Sequence, residues 1–467
     1  MTLSRAGGAL VAAALVSACN TTVTSPDVVT NKNLQGKAAL PAELAGTYGN
    51  FAQAYLGSGY FASFIDAQAQ ESQVLVSALF TDEMHENDFF TNHLQIDLRA
   101  QTRDNTTLDD LWYLLHRARV SGDQTAANYA QFDSTNPGRL TVLNFAGFSN
   151  ELLAESFCGN IPLGSFNAAT GALVYGAPVG TDSIIRAAKG HFLAVLAIAA
   201  QDTQSANAPA VQYEAMRATI GLARALAFEG NLDSAALVAS GVPDTYVDSV
   251  ERSLNSPAEQ NGVYYYTNIE VRYGITSGEG GNGLNFAIDG ANGDPRINVG
   301  APHITTIIGY DGFTLDTIQQ KYPQYGSSGV LASAAEARLI QAEDFLKNGN
   351  SGQALAALNQ ARQDVAPGMA SLSWPAGITS SAMIDTLFAE RAYDLWLTGH
   401  RVGDLRRLVR PTSGPLPGYG RDQATEWPTG TYFKNGTYGS QVALLVPRNE
   451  DNNPSYNDAG CNGGLTP

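Results

Sequence analysis

Two segments far apart in this chain share one layout. Residues 217–242 carry Ala223, Gly230, Asn231 and Ala235, and residues 338–362 carry Ala342, Gly349, Asn350 and Ala354 at the same mutual offsets. Each reads as helix, Gly-Asn turn, helix. The glycine supplies the left-handed backbone that ends the first helix, and small residues at fixed positions let two antiparallel helices approach closely. Such a unit cannot bury its apolar face alone, so it needs neighbours in a stack, as tetratricopeptide-like units do. Helical periodicity at 108–130, through Leu111, Trp112, Leu115, Ala118 and Ala126, and again at 140–157 and 181–201, supplies them. The fold expected is mainly α, a tetratricopeptide-like helical-repeat scaffold with repeats at about 108–242 and 331–411.

Between the two repeats lies a stretch of different character. Residues 243–328 have few helical stripes, glycine-rich runs at 274–283 and 290–293, and the cluster Tyr264, Tyr265, Tyr266. Irregular segments of this length inside a compact chain usually carry function, so this is read as a long, loop-rich insertion that bears a binding surface. An earlier apolar helix at 71–80 runs into the polar stretch 81–88, read as a loop on an exposed face. His85 and His93 lack the spacing of a helical metal-ligand pair, and Asp289, Asn292 and Asp294 lack the terminal Glu of a calcium loop, so no metal is assigned.

The motif search finds no Gly-x-Ser-x-Gly elbow, no His-Glu-x-x-His pair and no phosphate-binding Gly-x-x-x-x-Gly-Lys-Ser/Thr loop. No catalytic residues and no cofactor are assigned, and the chain is read as a binding protein rather than an enzyme. Its net charge of −17 repels phosphate backbones, which excludes nucleic acid as a partner. At the N-terminus, Arg5, the apolar run 7–15 and Val16-Ser17-Ala18-Cys19 resemble a bacterial lipobox. On that reading residues 1–18 are a lipoprotein signal peptide, Cys19 is the lipid anchor, and 19–40, rich in Thr, Ser, Asn and Val, is a tether. No later stretch offers the ~18–20 consecutive apolar residues of a transmembrane helix. With Cys19 acylated, Cys158 and Cys461 remain as a pair in an exported protein, and a disulfide between them is expected.

The most specific stretch is 388–411. Apolar residues at helical spacing alternate there with charges in the order Glu390-Arg391-Ala392-x-x-Leu395-Trp396-Leu397-x-Gly399-His400-Arg401-x-x-Asp404-Leu405-Arg406-Arg407. This resembles the C-terminal signature of the SusD/RagB family of nutrient-capturing lipoproteins. The helical repeat at 338–362 and a closing segment with Pro447, Glu450, Asn453 and Pro454 resemble further parts of the same family.

The resemblance implies one SusD-like domain over 41–467. It also implies a cell-surface position on the outer membrane, an oligosaccharide or other oligomeric nutrient as ligand, and a SusC-like TonB-dependent transporter as partner. It places the loops between the first helices at the ligand, which points to Asp88, Phe89 and Phe90, with Tyr264, Tyr265 and Tyr266 from the insertion. Glu390, Arg391, Arg401, Asp404 and Arg407 are assigned to structure, as buried charge pairs. The alternatives are a helical-repeat assembly lipoprotein without a small ligand, and a secreted glycoside hydrolase.

Overall fold

The computed structural model describes residues 36–59, 71–167, 170, 172–299 and 307–456. Cys19, most of the tether and Cys461 lie outside the described residues. Helix α1 (Leu40–Leu56) opens the fold, followed by α2 (Gln73–Phe80), β1 (Met84–Glu86) and α3 (Thr91–Asp97). A continuous stack follows: α4 (Thr106–Phe132), α5 (Gly138–Ser156), α6 (Thr181–Gln201), α7 (Ala208–Phe228), α8 (Leu232–Ala239), α9 (Ala334–Lys347) and α10 (Ser351–Val365). Each of these helices packs on the next, α8 on α9 included, although the insertion separates those two in sequence.

The local causes are those of the repeat. Gly230 and Gly349 adopt φ of 80° and 74°. In each turn the following asparagine N–H reaches back to the helix, Asn231 to Leu226 O at 2.9 Å and Asn350 to Phe345 O at 2.7 Å. This closes a Schellman-type cap that a residue with a Cβ would strain. Ala223, Ala235, Ala342 and Ala354 are all fully buried where the helices meet. Side-chain caps start two helices of the stack, Asn105 for α4 and Ser333 for α9. Helix α6 is the one described helix with the length and mean hydropathy, 1.5, of a membrane span. Its alanines raise that mean although Arg186 and Lys189 interrupt the apolar run, and it packs along α5 and α7.

Near the surface of the stack, β2 (Ile161–Pro162) pairs with β5 (Pro178–Val179), and β3 (Ser165–Phe166) with β4 (Leu173–Val174). The insertion is gathered at its neck, where β6 (Val247–Val250) pairs antiparallel with β10 (Gly329–Ser333). Inside it, β7 (Tyr273–Ile275) pairs with β1, and β8 (Ile307–Ile308) forms a hairpin with β9 (Leu315–Asp316). The tyrosine cluster is helical, with Tyr264 ending a helical turn and Tyr265–Ile269 forming a π-helical one.

The signature forms α11 (Ser380–Asp394) and α12 (Arg401–Val409), broken by a turn in which Leu397 and Gly399 take φ of 50° and 78°. Its charges are buried and paired. Arg391 donates to Asp404 at 2.8 Å, Arg407 to Glu343 and Asp404, Arg401 to Asp82 at 2.8 Å, and Arg296 to Glu390 at 2.6 Å. Arg296 comes from the insertion's Asp294-Pro295-Arg296 triplet, so the signature also anchors the insertion.

Candidate functional site

The polar stretch 81–88 is not an exposed loop. Asp82, Glu83, Glu86, Asn87 and Asp88 are all buried. Buried polar groups persist only when bonded, and most of the partners here come from distant segments. Asp82 takes Arg401, Glu83 accepts from Leu397 N at 2.8 Å, and Glu86 lies 3.0 Å from Lys434 Nζ. Asp88 sits 2.6 Å from His93 Nδ1, while His93 Nε2 meets Glu71 at 2.9 Å. Burial alone would lower His93, but its bonds to the two carboxylates prevail and raise it to about 9. Asp88 is therefore no ligand-facing group. It is the buried end of a charge triad, and its other oxygen accepts from Phe90 N at 2.9 Å, which fixes the loop that follows.

That loop presents the apolar surface. Phe89 and Phe90 are 68% and 36% exposed and lie with centroids 5.2 Å apart at 22°. Tyr310, from the tip of the β8–β9 hairpin, joins them at 5.5 Å from Phe89 and 6.1 Å from Phe90. The Arg272 guanidinium lies against both Phe90 (4.6 Å) and Tyr310 (4.2 Å) and is neutralised by Glu270 at 2.8 Å. The hairpin is held by backbone bonds from Tyr310 N to Val271 O (3.0 Å) and from Asp311 N to Asn87 O (2.9 Å).

Beside this ledge opens a cleft of about 730 Å³ lined by His85, Glu279, Phe313, Phe433, Lys434 and Tyr438, among others. Phe313 and Phe433 are 71% and 53% exposed. Lys434 stands between ledge and cleft, 2.7 Å from Asp311 and donating to Asp88 O at 3.1 Å. Burial opposes ionisation of Asp311, yet the bonds from Lys434 and Thr314 bring it down to about 2, whereas burial raises Glu86 to about 8. The face thus offers exposed aromatic rings beside paired charges, an arrangement on which flat apolar groups can stack.

Of the residues singled out in sequence, Phe89 and Phe90 lie on this face. Tyr265 and Tyr266 do not: both are buried, with Tyr266 stacked on Tyr273 at 5.4 Å beneath the loop. Helical rather than extended backbone turns them toward the core. Tyr264 is half-buried against Tyr325 at 4.9 Å. Tyr310, Phe313, Phe433 and Lys434 were missed. Their signal was a turn dipeptide flanked by aromatics, Asp311-Gly312 in one hairpin and Asn435-Gly436 in the other, with positive φ at Gly312, Asn435 and Gly436. Cys158, for which a disulfide is expected, is fully buried and disulfide-bonded.

The SusD family model matches residues 312–456. Solved structures resemble the chain over most of its length. A SusD superfamily protein from Bacteroides vulgatus aligns with TM-score 0.58 at 14% identity, covering 89% of this chain and 97% of its own. A SusD/RagB family protein from Bacteroides thetaiotaomicron gives 0.60 at 12% identity, over 91% and 96%. Surface glycan-binding protein A from Bacteroides uniformis gives 0.61 at 13% identity, over 90% and 98%. No curated protein sequence matches the chain.

Proposed function

We infer that this chain, which matches the SusD family model over residues 312–456, captures a glycan at the cell surface and delivers it to a TonB-dependent outer-membrane transporter. The observation that carries this reading is the exposed face of Phe89, Phe90, Tyr310, Phe313 and Phe433 set by two hairpins and a buried charge triad. Sugar rings stack their apolar faces on such rings, and pre-set aromatics lose little entropy in doing so. A glycan-binding protein among the structural relatives supports the ligand class. The family's lipoproteins, and the lipobox at Cys19, support attachment to the outer membrane by an N-terminal lipid, with a single SusD-like domain following the tether.

Affinity electrophoresis against a polysaccharide panel tests it. One or more neutral polymers should retard the protein, and Phe90→Ala should weaken that binding about three- to tenfold, the worth of one stacked ring. The unfolding midpoint should not move. Unaltered retardation by Phe90→Ala and Tyr310→Ala together would sink this face as the site.

A further inference from the structure

The closing segment with Pro447, Glu450, Asn453 and Pro454 contributes nothing to the aromatic face. It lies instead along a second cleft of about 610 Å³, between the first turns of α4, the β3–β4 hairpin and residues 449–453. Glu450 accepts the Trp112 indole N–H at 2.9 Å, Asn453 donates to Gly176 O at 3.2 Å, and Asn449 donates to Asp109. The segment therefore fixes the floor ring and ties both walls. The rim is aromatic and open: Tyr113, Phe166 and Tyr175 are 52%, 44% and 48% exposed. His116 lies against Trp112 with ring centroids 4.4 Å apart and planes tilted by 50°, and burial holds its imidazole neutral, well below the usual histidine range.

We propose that this cleft is a second saccharide-binding site, for a neutral oligosaccharide segment. The proposal rests on the reading above that the ligand is a glycan. Rings on the rim match the apolar faces of sugar rings, while Asp109, Asn449 and Asn452 offer acceptors and donors for hydroxyls. The charged lining is Asp109, Asp110, Glu450 and Arg119, and the Arg119 guanidinium is buried and turned to Gly164 O. A lining with that balance repels sulfated or uronate chains. Two such sites on one chain give a polymer two grips, and a long glycan binds more tightly than a short one by the effective concentration of the second.

Hydroxyl-radical footprinting of the purified full chain reads both sites in one digest. The probes are cello-, xylo-, manno- and maltohexaose, each at millimolar concentration. With at least one of them, oxidation of Tyr113, Phe166 and Tyr175 should slow about threefold, as a ring covered by ligand loses most of its solvent contact. Tyr175→Ala, a change on an exposed hairpin, should abolish the protection at Tyr113 and leave that at Phe89 and Phe90 intact. Protection confined to Phe89, Phe90 and Tyr310 would overturn the second site and leave the first. Protection confined to the Trp112 cleft would uphold the second and remove the first. Protection of neither surface by any of the four would overturn both.

Discussion

Lys434→Met removes one ammonium and keeps the stem, and its cost follows from the charges around it. The Nζ lies 3.0 Å from Glu86 and 2.7 Å from Asp311, and the side chains of all three are nearly or wholly buried. Deleting one partner of a buried pair costs about 3–5 kcal/mol, because the other charge is left without compensation. Two carboxylates would suggest a doubled loss. Burial raises Glu86 to about 8, however, so at pH 7 it is mainly protonated, while Asp311, held at about 2, carries the charge. Only one pair counts, and the loss should be about 3 kcal/mol. Urea unfolding of Lys434→Met, Asp311→Asn and the double variant at pH 7 gives the coupling directly, expected at about 1.5–3 kcal/mol. Glu86→Gln should change little at pH 7. Because the folded state retains the Glu86 proton that the unfolded chain releases, stability falls as pH rises from about 4.3 to 8, and Glu86→Gln should flatten that slope. A coupling below about 0.5 kcal/mol would show that Lys434 lies near Asp311 without holding it.

Arg391→Ala breaks a buried pair with Asp404 and should lower stability by about 3–5 kcal/mol while leaving glycan affinity of the folded protein unchanged; lost binding with an unmoved midpoint would reverse the assignment. The His93 triad has a pH window. Raised to about 9 by Asp88 and Glu71 against burial, His93 contributes fully below its unfolded value near 6.5 and loses that contribution as pH climbs through 9. Asp88 and Glu71, both lowered by His93 against burial, contribute above the ordinary carboxylate range and lose it as pH falls. Corrected for intrinsic rates, amide exchange at Phe89 and Phe90 should be slowest between about pH 5 and 6.5, and a flat profile would exclude the triad as the clamp. Thiol titration of denatured, unreduced protein should find no free Cys158 or Cys461, and two free thiols would break the predicted pairing. Cys19→Ala should shift the protein from the detergent-extracted membrane fraction to the soluble one, and unchanged retention in cells lacking the transporter would refute the lipid anchor.

What was legible in sequence was what short-range chemistry dictates. A Gly-Asn turn between alanine-bearing helices has one economical backbone solution, so both repeat units and their caps could be read. Phe89 and Phe90, singled out because the family resemblance puts the loops between the first helices at the ligand, do stand exposed on the aromatic ledge. The polar stretch 81–88 was misread because polarity signals exposure only where no partner exists. Arg401 lies 319 residues from the Asp82 it pairs with, and no local pattern announces that. The tyrosine triplet failed for a related reason: three adjacent rings on a helical turn point in different directions, and only the packing of Tyr266 on Tyr273 decides which are lost to the core. Tyr310 and Phe433 come to the ledge and cleft from hairpins whose docking is wholly tertiary.

The strand pair that closes the neck of the insertion bears on how such a chain tolerates change. Val247–Val250 and Gly329–Ser333 hold the ends of a long loop together by a ladder that belongs to the scaffold. Once those ends are fixed, the entropy of extending the loop grows only logarithmically, about 0.6 kcal/mol for each doubling of its length. The exposed tip of the β8–β9 hairpin can therefore lengthen, shorten or trade rings at little cost to the helical stack, while buried Tyr266, Tyr273 and Tyr322 and the Arg296–Glu390 pair hold the rest of the insertion in place. The ladder acts as a coupling flange: a fixed fitting on the scaffold side, and on the other a loop whose exposed tip is free to vary.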